Sequence, residues 1–504
     1  MARISAYCLP LLLFSISAHT EDSTEVGMTM FRGNAHRSSS GKGQVARRVQ
    51  DVKLSWKTRA LGGGREFSGV GWTGQPLVVR WPLKYRKLMR WNPFFAKSFG
   101  PEEEVIIGTG SGRIYFFDFA TGRDTRPSFS VSGQPIKGTV AVHPEGWPYL
   151  VFGQGLPWET NANGQRRPQP TGLHIVDLVK MKDVFFIDGS RGQPPRRWPA
   201  FDSSVLFVPE KDQLLALGEN GLFYKVDLHS DRLDEYPKIY PTVATFAQKK
   251  PYAKTIQHGF ESSISYHGGV AFFTDNQGEF YAFDVEKMKV LYRRSLRDDT
   301  DATGVLAFEN RKPYLYVGNE VDWRGARGAA QFFKINVRTG QAEWVSQMPD
   351  AKRRSSESRY TARSAGVLGT AALGTSIFAD RMFISTAADT RDGHQRGYLM
   401  ALDRATGRML WRYPLNAHSW SSPAFSYDVW TQSGTVVIGD FSGHIHAVDA
   451  RSGKRLWRAQ LQGPIHGSPV IWKNQILVGT VGGRLYSIGT SEGPRTRLAG
   501  QLPP

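Results

Sequence analysis

Val436-Val437-Ile438-Gly439-Asp440-Phe441-Ser442-Gly443-His444-Ile445-His446-Ala447-Val448-Asp449 is followed shortly by Ser452-Gly453-Lys454-Arg455-Leu456-Trp457. Its opening residues form an apolar strand. A Gly-containing turn comes next, then an alternating strand that ends in Asp. Ser-Gly supplies a tight turn, and a further strand carries the Trp. Together these make most of a four-stranded antiparallel blade.

The phrase occurs eight times along the chain. Its closing Asp falls at Asp118, Asp177, Asp227, Asp284, Asp403 and Asp449, with Asn336 and Gly489 in the two remaining copies. Thr-Gly or Ser-Gly turns follow at Gly122, Gly340, Gly407 and Gly453, and the outer-strand Trp recurs at Trp344, Trp411 and Trp457. A β-unit repeating at roughly 40–50 residues or more means a propeller. The eighth copy stops at Tyr486-Ser487-Ile488-Gly489 without its Trp strand. Leu54-Ser55-Trp56-Lys57 near the N-terminus matches the missing piece. The expected fold is therefore all-β: a single eight-bladed β-propeller of four-stranded antiparallel blades over 51–489, its N-terminal strand closing the last blade. Closure removes the open sheet edges that invite aggregation.

The inner strands open on small phrases such as Trp420-Ser421-Ser422-Pro423, Gly467-Ser468-Pro469, Glu261-Ser262-Ser263 and Asp202-Ser203-Ser204. Small residues suit the crowded centre of a ring.

The flanks read differently. Residues 1–20 have the form of a secretory signal: Arg3, an apolar run from Leu9, then Ser17-Ala18. That run is too short to span a bilayer, so a periplasmic or secreted protein without a transmembrane segment is expected. Residues 21–50 form a polar, partly ordered lead-in, and 490–504 a disordered tail. Cys8, the one cysteine, lies inside the signal. The mature chain then lacks disulfides, Cys-ligated zinc and covalent haem. A net charge of +19 favours an anionic neighbour. Export and the lack of any nucleic-acid motif exclude nucleic acid.

The strand–Gly–strand–Asp–Thr-Gly–Trp phrase resembles the PQQ-binding-like (quinoprotein dehydrogenase-like) β-propellers over about residues 54–489. Gly71-Trp72-Thr73-Gly74, Ile136-Lys137-Gly138-Thr139, Gly218-Glu219-Asn220-Gly221 and Asp298-Asp299-Thr300-Asp301 resemble one exported bacterial branch of them. Met30-Phe31-Arg32-Gly33-Asn34 resembles a phrase that packs against the ring in such propellers. The resemblance implies either a redox enzyme or a non-catalytic scaffold. Enzymes of this fold stack pyrroloquinoline quinone (PQQ) between a Trp and a disulfide of adjacent cysteines, beside a Ca²⁺ held by carboxylates and an amide. The cysteine pair and a haem motif are both absent here. PQQ and Ca²⁺ are the cofactors this resemblance would imply, and the sequence favours neither.

Two stretches stand out as candidate sites. Glu261, Asp298, Asp299, Asp301, Asn319, Glu320 and Asp322 lie at inner-strand starts and adjoining loops, so they are expected to converge at one channel mouth. Such a cluster suits Ca²⁺, a small ligand, acid–base work or a basic partner; turn capping is the structural alternative. His258, His418 and His466 lie just before inner strands and are expected to be satisfied rim histidines. The second stretch, residues 80–97, is basic and aromatic. It contains Lys84, Arg86, Lys87, Arg90 and Trp91, has no acid, and permits a short helix ending near Pro93. Such a segment suits a membrane interface or another anionic partner. A second basic loop, 351–359, is expected to be exposed. The leading expectation is a monomeric, non-enzymatic scaffold that binds an envelope protein, a glycan or an anionic surface. The rival is a quinoprotein-type oxidoreductase or a Ca²⁺ or small-ligand binder.

Overall fold

The computed structural model describes residues 26–62, 69–70, 74–161, 163–247, 258–321, 329–348, 365–389 and 395–490. The signal-like leader, Asp322, the 351–359 loop and the tail beyond 490 lie outside the described residues.

Among the described residues, eight blade sheets of antiparallel strands A to D surround one channel, and a separate two-stranded sheet pairs Trp158–Thr160 with Arg166–Pro168. Within each blade, strands A to D run from the channel outward. Blade 1 comprises Leu77–Val79, Glu104–Gly108, Arg113–Asp118 and Phe129–Ser130. Blade 7 comprises Ala424–Asp428, Ser433–Gly439, His444–Asp449 and Arg455–Gln460. The last blade takes three strands from Val470–Lys473, Gln475–Gly479 and Leu485–Thr490, and its fourth from Val52–Lys57. Leu54 pairs with Ile488 and Trp56 with Ser487, which closes the ring as expected.

The repeat phrase is a set of local bonds. The carboxylate of Asp403 accepts from the N–H and hydroxyl of Thr406, both at 2.8 Å. Asp449 does the same for Ser452. The next residue must be glycine for two reasons. Gly453 has φ +71°, and a Cβ there would lie 2.7 Å from the Trp411 ring. The tryptophan of one blade therefore seats on the bare turn of the next. Its indole N–H donates to a carbonyl there: Trp56 to Phe119, Trp344 to Arg404 and Trp411 to Ala450. This contact joins neighbouring blades at their outer edges. Apolar side chains of the inner strands fill the space between sheets, and the largest cluster runs from blade 1 through blade 4.

The lead-in goes further than its composition suggests. Gly27–Met28 adds a strand inside blade 1, pairing Met28 with Val78. Gly41–Gly43 adds a parallel strand inside blade 8, pairing Gly41 with Ile471. The two added strands run in opposite directions along the channel, so residues 29–40 form a turn within it. That turn bonds to every blade. Besides the two added strands, Thr29 O accepts from Val142, Ala35 O from Tyr266, and His36 O from Leu306. Arg32 donates to the carbonyls of Ala371 and Pro423, both at 2.8 Å. Arg37 donates to Ile264, Phe31, Ser204 and Val205. Both arginines are wholly buried. Burial pushes each guanidinium down to about 9, so both stay charged at neutral pH, held by carbonyl oxygens.

Candidate functional site

The inner-strand phrases do more than fit a crowded centre. In six of them a hydroxyl, that of Thr139, Ser204, Ser263, Thr303, Ser422 or Ser468, accepts from the preceding blade. The N–H of Gln75 donates to Thr139 Oγ1, Thr139 to Ser204 Oγ, Ser204 to Ser263 Oγ, and Ser263 to Thr303 Oγ1, all at 2.8–3.0 Å. Thr370 and Ser422 continue the pattern to Ser422 and Ser468, and the Ser468 N–H returns to Gly74 O. This belt holds the first residue of each phrase at a common height. Those residues are Lys137, Asp202, Glu261, Asp301, Leu368, Trp420 and His466.

A recess of about 40 Å³ opens among them, lined by Asp202, Glu261 and Asp301 on blades 3 to 5 and by Leu368 and Trp420 on blades 6 and 7. Phe31 from the channel segment also lines it. One half of the mouth is thus acidic and the other apolar.

On the acidic side, carboxylate oxygens of Asp202, Glu219 and Glu261 lie within 4.8 Å of one another. The Lys137 ammonium donates to Asp202 Oδ2 at 2.6 Å. Asn276 Nδ2 donates to Glu261 Oε1 at 2.6 Å. Arg196 Nη1 stands 3.7 Å from Glu219. Burial, reinforced by Asp202 and Glu261, pushes the Glu219 carboxyl well above its ordinary value. Burial and Asp202 also raise Glu261. At Lys137 burial opposes the charge, but Asp202, Glu219 and Glu261 outweigh it and hold the ammonium above the usual lysine value. Glu219 Oε1 and Asp202 Oδ1 are buried without a hydrogen bond among the described residues. Three carboxylates at this spacing suit a hard cation; Lys137 already sets one positive charge among them.

The apolar side is an aromatic stack. His466 lies on Phe441 with ring centroids 3.9 Å apart, and His418 meets the same ring at 3.7 Å. Trp420 packs edge-on to Phe441 at 4.7 Å. Burial, then His418, pushes His466 down to about 3, so its imidazole is neutral at neutral pH.

The basic segment lies at the opposite end. It forms the connection between strands A and B of blade 1, whereas the mouth is built from the approaches to strand A and from a B–C turn at Glu219. Two one-turn helices form, α1 at Leu83–Arg86 and α2 at Pro93–Ala96; Pro93 starts the second instead of ending the first. Trp81, Tyr85, Met89 and Phe95 are buried beneath them. The Trp81 indole donates to Glu104 at 2.8 Å. Arg126 forms a two-pronged pair with Glu104 and sits 4.5 Å from the Trp91 ring centroid. Arg86 donates to the carbonyls of Ser98, Phe99 and Gly100, and Trp91 to Arg86 O. Arg86 and Trp91 therefore shape this outcrop, while Lys84, Lys87 and Arg90 face solvent.

The family model described as outer membrane protein assembly factor BamB matches residues 194–416 and 395–496. The chain belongs to that family. No curated protein sequence matches it. BamB from Moraxella catarrhalis is similar in structure, with a TM-score of 0.50 and 14% identity over 82% of this chain and 98% of that one. Quinohemoprotein alcohol dehydrogenase from Comamonas testosteroni superposes with a TM-score of 0.61 at 12% identity, covering 95% of this chain and 82% of that one. A second such dehydrogenase, ADHIIG from Pseudomonas putida HK5, gives 0.58 at 10% identity over the same shares. Likeness at these identities shows the fold, a PQQ-type propeller common to both kinds of protein.

Within this BamB-family ring the candidate acids separate. Glu261 and Asp301 reach the recess. Asp298 and Asp299 accept from the next backbone N–H, at 3.0 and 2.7 Å. Asn319 bridges Leu296 O and the Gln331 N–H, both at 2.6 Å. The Glu320 N–H donates to Asp299 O, which ties the two loops together. His418 and His466 share Phe441. His258 instead lies 3.5 Å from Asp275 and is pushed down to about 4 by burial, then by Arg196. Sequence reasoning missed Lys137, Asp202, Glu219 and Trp420 as mouth residues. The available signal was repeat position: Lys137, Asp202, Glu261, Asp301 and Trp420 each stand two residues before the belt hydroxyl.

Proposed function

We propose that this chain is an exported, non-catalytic propeller that acts as a monomeric scaffold in the cell envelope and receives a protein partner at its mouth. The observation that carries this reading is the filled channel. Residues 26–43 pack within the channel and bond to every blade. A recess of about 40 Å³ remains at the mouth, room for a few waters. A three-ring quinone does not fit there. The Lys137 ammonium already sets a positive charge against Asp202, and no cysteine pair exists in the chain. The acidic rim of the recess suits the charged tip of a lysine or arginine presented by another protein. Family membership and the signal-like leader support placement in the envelope. No helix among the described residues is long and apolar enough to cross a membrane.

A hard cation at Asp202, Glu219 and Glu261 is the second reading, favoured by the buried Glu219 Oε1, which has no hydrogen-bond partner among the described residues.

Photo-crosslinking from the mouth tests the scaffold. A photoreactive residue replaces Leu368 in the producing cell. A single discrete envelope-protein adduct is expected, and it should weaken severalfold when Glu261→Gln and Asp301→Asn are added. No adduct, or one indifferent to both changes, would sink the proposal.

A further inference from the structure

We infer that the blade 1 outcrop docks the molecule onto an anionic lipid surface. This deepens the scaffold reading and rests on it for the location of the protein. Three large apolar side chains of the outcrop face solvent: Phe94 is 66% exposed, Leu83 54% and Phe99 44%. Loose packing does not explain them, because Trp81, Tyr85 and Phe95 of the same segment are buried. The segment turns one set of bulky side chains inward and leaves another set out.

Cations surround the exposed set. Leu83 and Lys87 share one helical turn, closed by the Lys87 N–H to Leu83 O at 3.1 Å. The Lys87 ammonium lies 5.9 Å from the Phe99 ring, and the guanidinium of Arg123 lies 4.5 Å from the Phe94 ring. Lys84, Arg90 and Lys97 are also exposed. Two acids beside the segment are paired: Glu102 with Arg80 and Lys473, and Asp124 with Arg59. Apolar side chains set among lysines and arginines match a bilayer interface, where rings enter the headgroup zone and cations meet phosphates. The Arg86 bonds to three carbonyls fix the two helices against each other, so the patch is formed before any contact is made. Since the mouth is at the other end of the ring, lipid and protein partner need not compete.

Vesicle sedimentation decides it. The probes are vesicles of phosphatidylglycerol with phosphatidylethanolamine, and vesicles of phosphatidylcholine alone. Binding to the anionic vesicles only, falling with salt, is expected. Lys84→Gln, Lys87→Gln and Arg90→Gln together should lower the partition coefficient roughly a hundredfold, about fivefold per charge. Phe94→Ser should lower what binding survives at high salt. Neutralising Lys182, Lys287 and Lys289 on other blades should change little. No binding to anionic vesicles, or equal losses from both lysine sets, would overturn the inference. Neither result touches the crosslink at Leu368, so failure of the lipid contact and failure of the scaffold remain distinguishable.

Discussion

Arg37→Ala is expected to cost about 3–5 kcal/mol, among the largest effects of any single change in this chain. Arg37 is wholly buried and donates to carbonyls on two blades and on its own segment, at 2.7–3.4 Å. Among the described residues it has no carboxylate partner, so these oxygens alone offset its charge. Alanine leaves the Ile264 and Phe31 carbonyls buried without that donor, at about 1–3 kcal/mol each, and opens a cavity in the channel. Arg37→Lys should recover only part, because one ammonium cannot span carbonyls that a planar fork reaches. The readout is thermal unfolding, with a drop of about 5 °C or more for alanine. A melt unchanged in both variants would mean that the segment is not docked in the ring.

Arg126→Met is expected to cost a similar amount. Arg126 and Glu104 are both almost fully buried, and Glu104 also accepts from Trp81 and Thr125. Removing the cation alone leaves a buried carboxylate uncompensated, a loss of about 3–5 kcal/mol. Adding Glu104→Gln should restore part of it, since a neutral amide tolerates burial far better than an unpaired charge. Arg126 also touches Met89 and Trp91, so the single variant should free the outcrop before the ring melts. Limited proteolysis would then cut first between residues 80 and 100. Equal stability of the single and double variants would contradict this account of the pair.

Both residues mark where reading the sequence reached its end. The blade phrase was legible because its bonds are local: Asp403 caps Thr406 three residues on, and Gly407 makes room for Trp344. Strand closure by Trp56 was legible for the same reason, as a missing copy of a known phrase. The channel segment was legible only in part. Arg32 falls in Met30-Phe31-Arg32-Gly33-Asn34, which resembles a phrase that packs against the ring, whereas Arg37 sits in a stretch rich in Gly, Ser and Arg that reads as a polar lead-in. Their burial depends on carbonyls contributed by blades far apart in sequence, and no local pattern encodes that. The acidic candidates show the same limit. Asp298 and Asp299 drew notice by adjacency, yet neighbours in one turn serve that turn's amides. The mouth residues arrive one per blade, so only alignment of the repeats brings them together. At the outcrop, residue type was informative but orientation was not: five residues looked alike in sequence, and packing divided them into two inward and three outward.

Calorimetric titration of the mature protein with PQQ, with and without Ca²⁺, most directly tests whether this ring is a scaffold with a filled channel. No saturable heat in either condition is the predicted result. Micromolar or tighter binding that disappears in Glu261→Ala would contradict it, and would mean that residues 26–43 leave the channel to admit a cofactor.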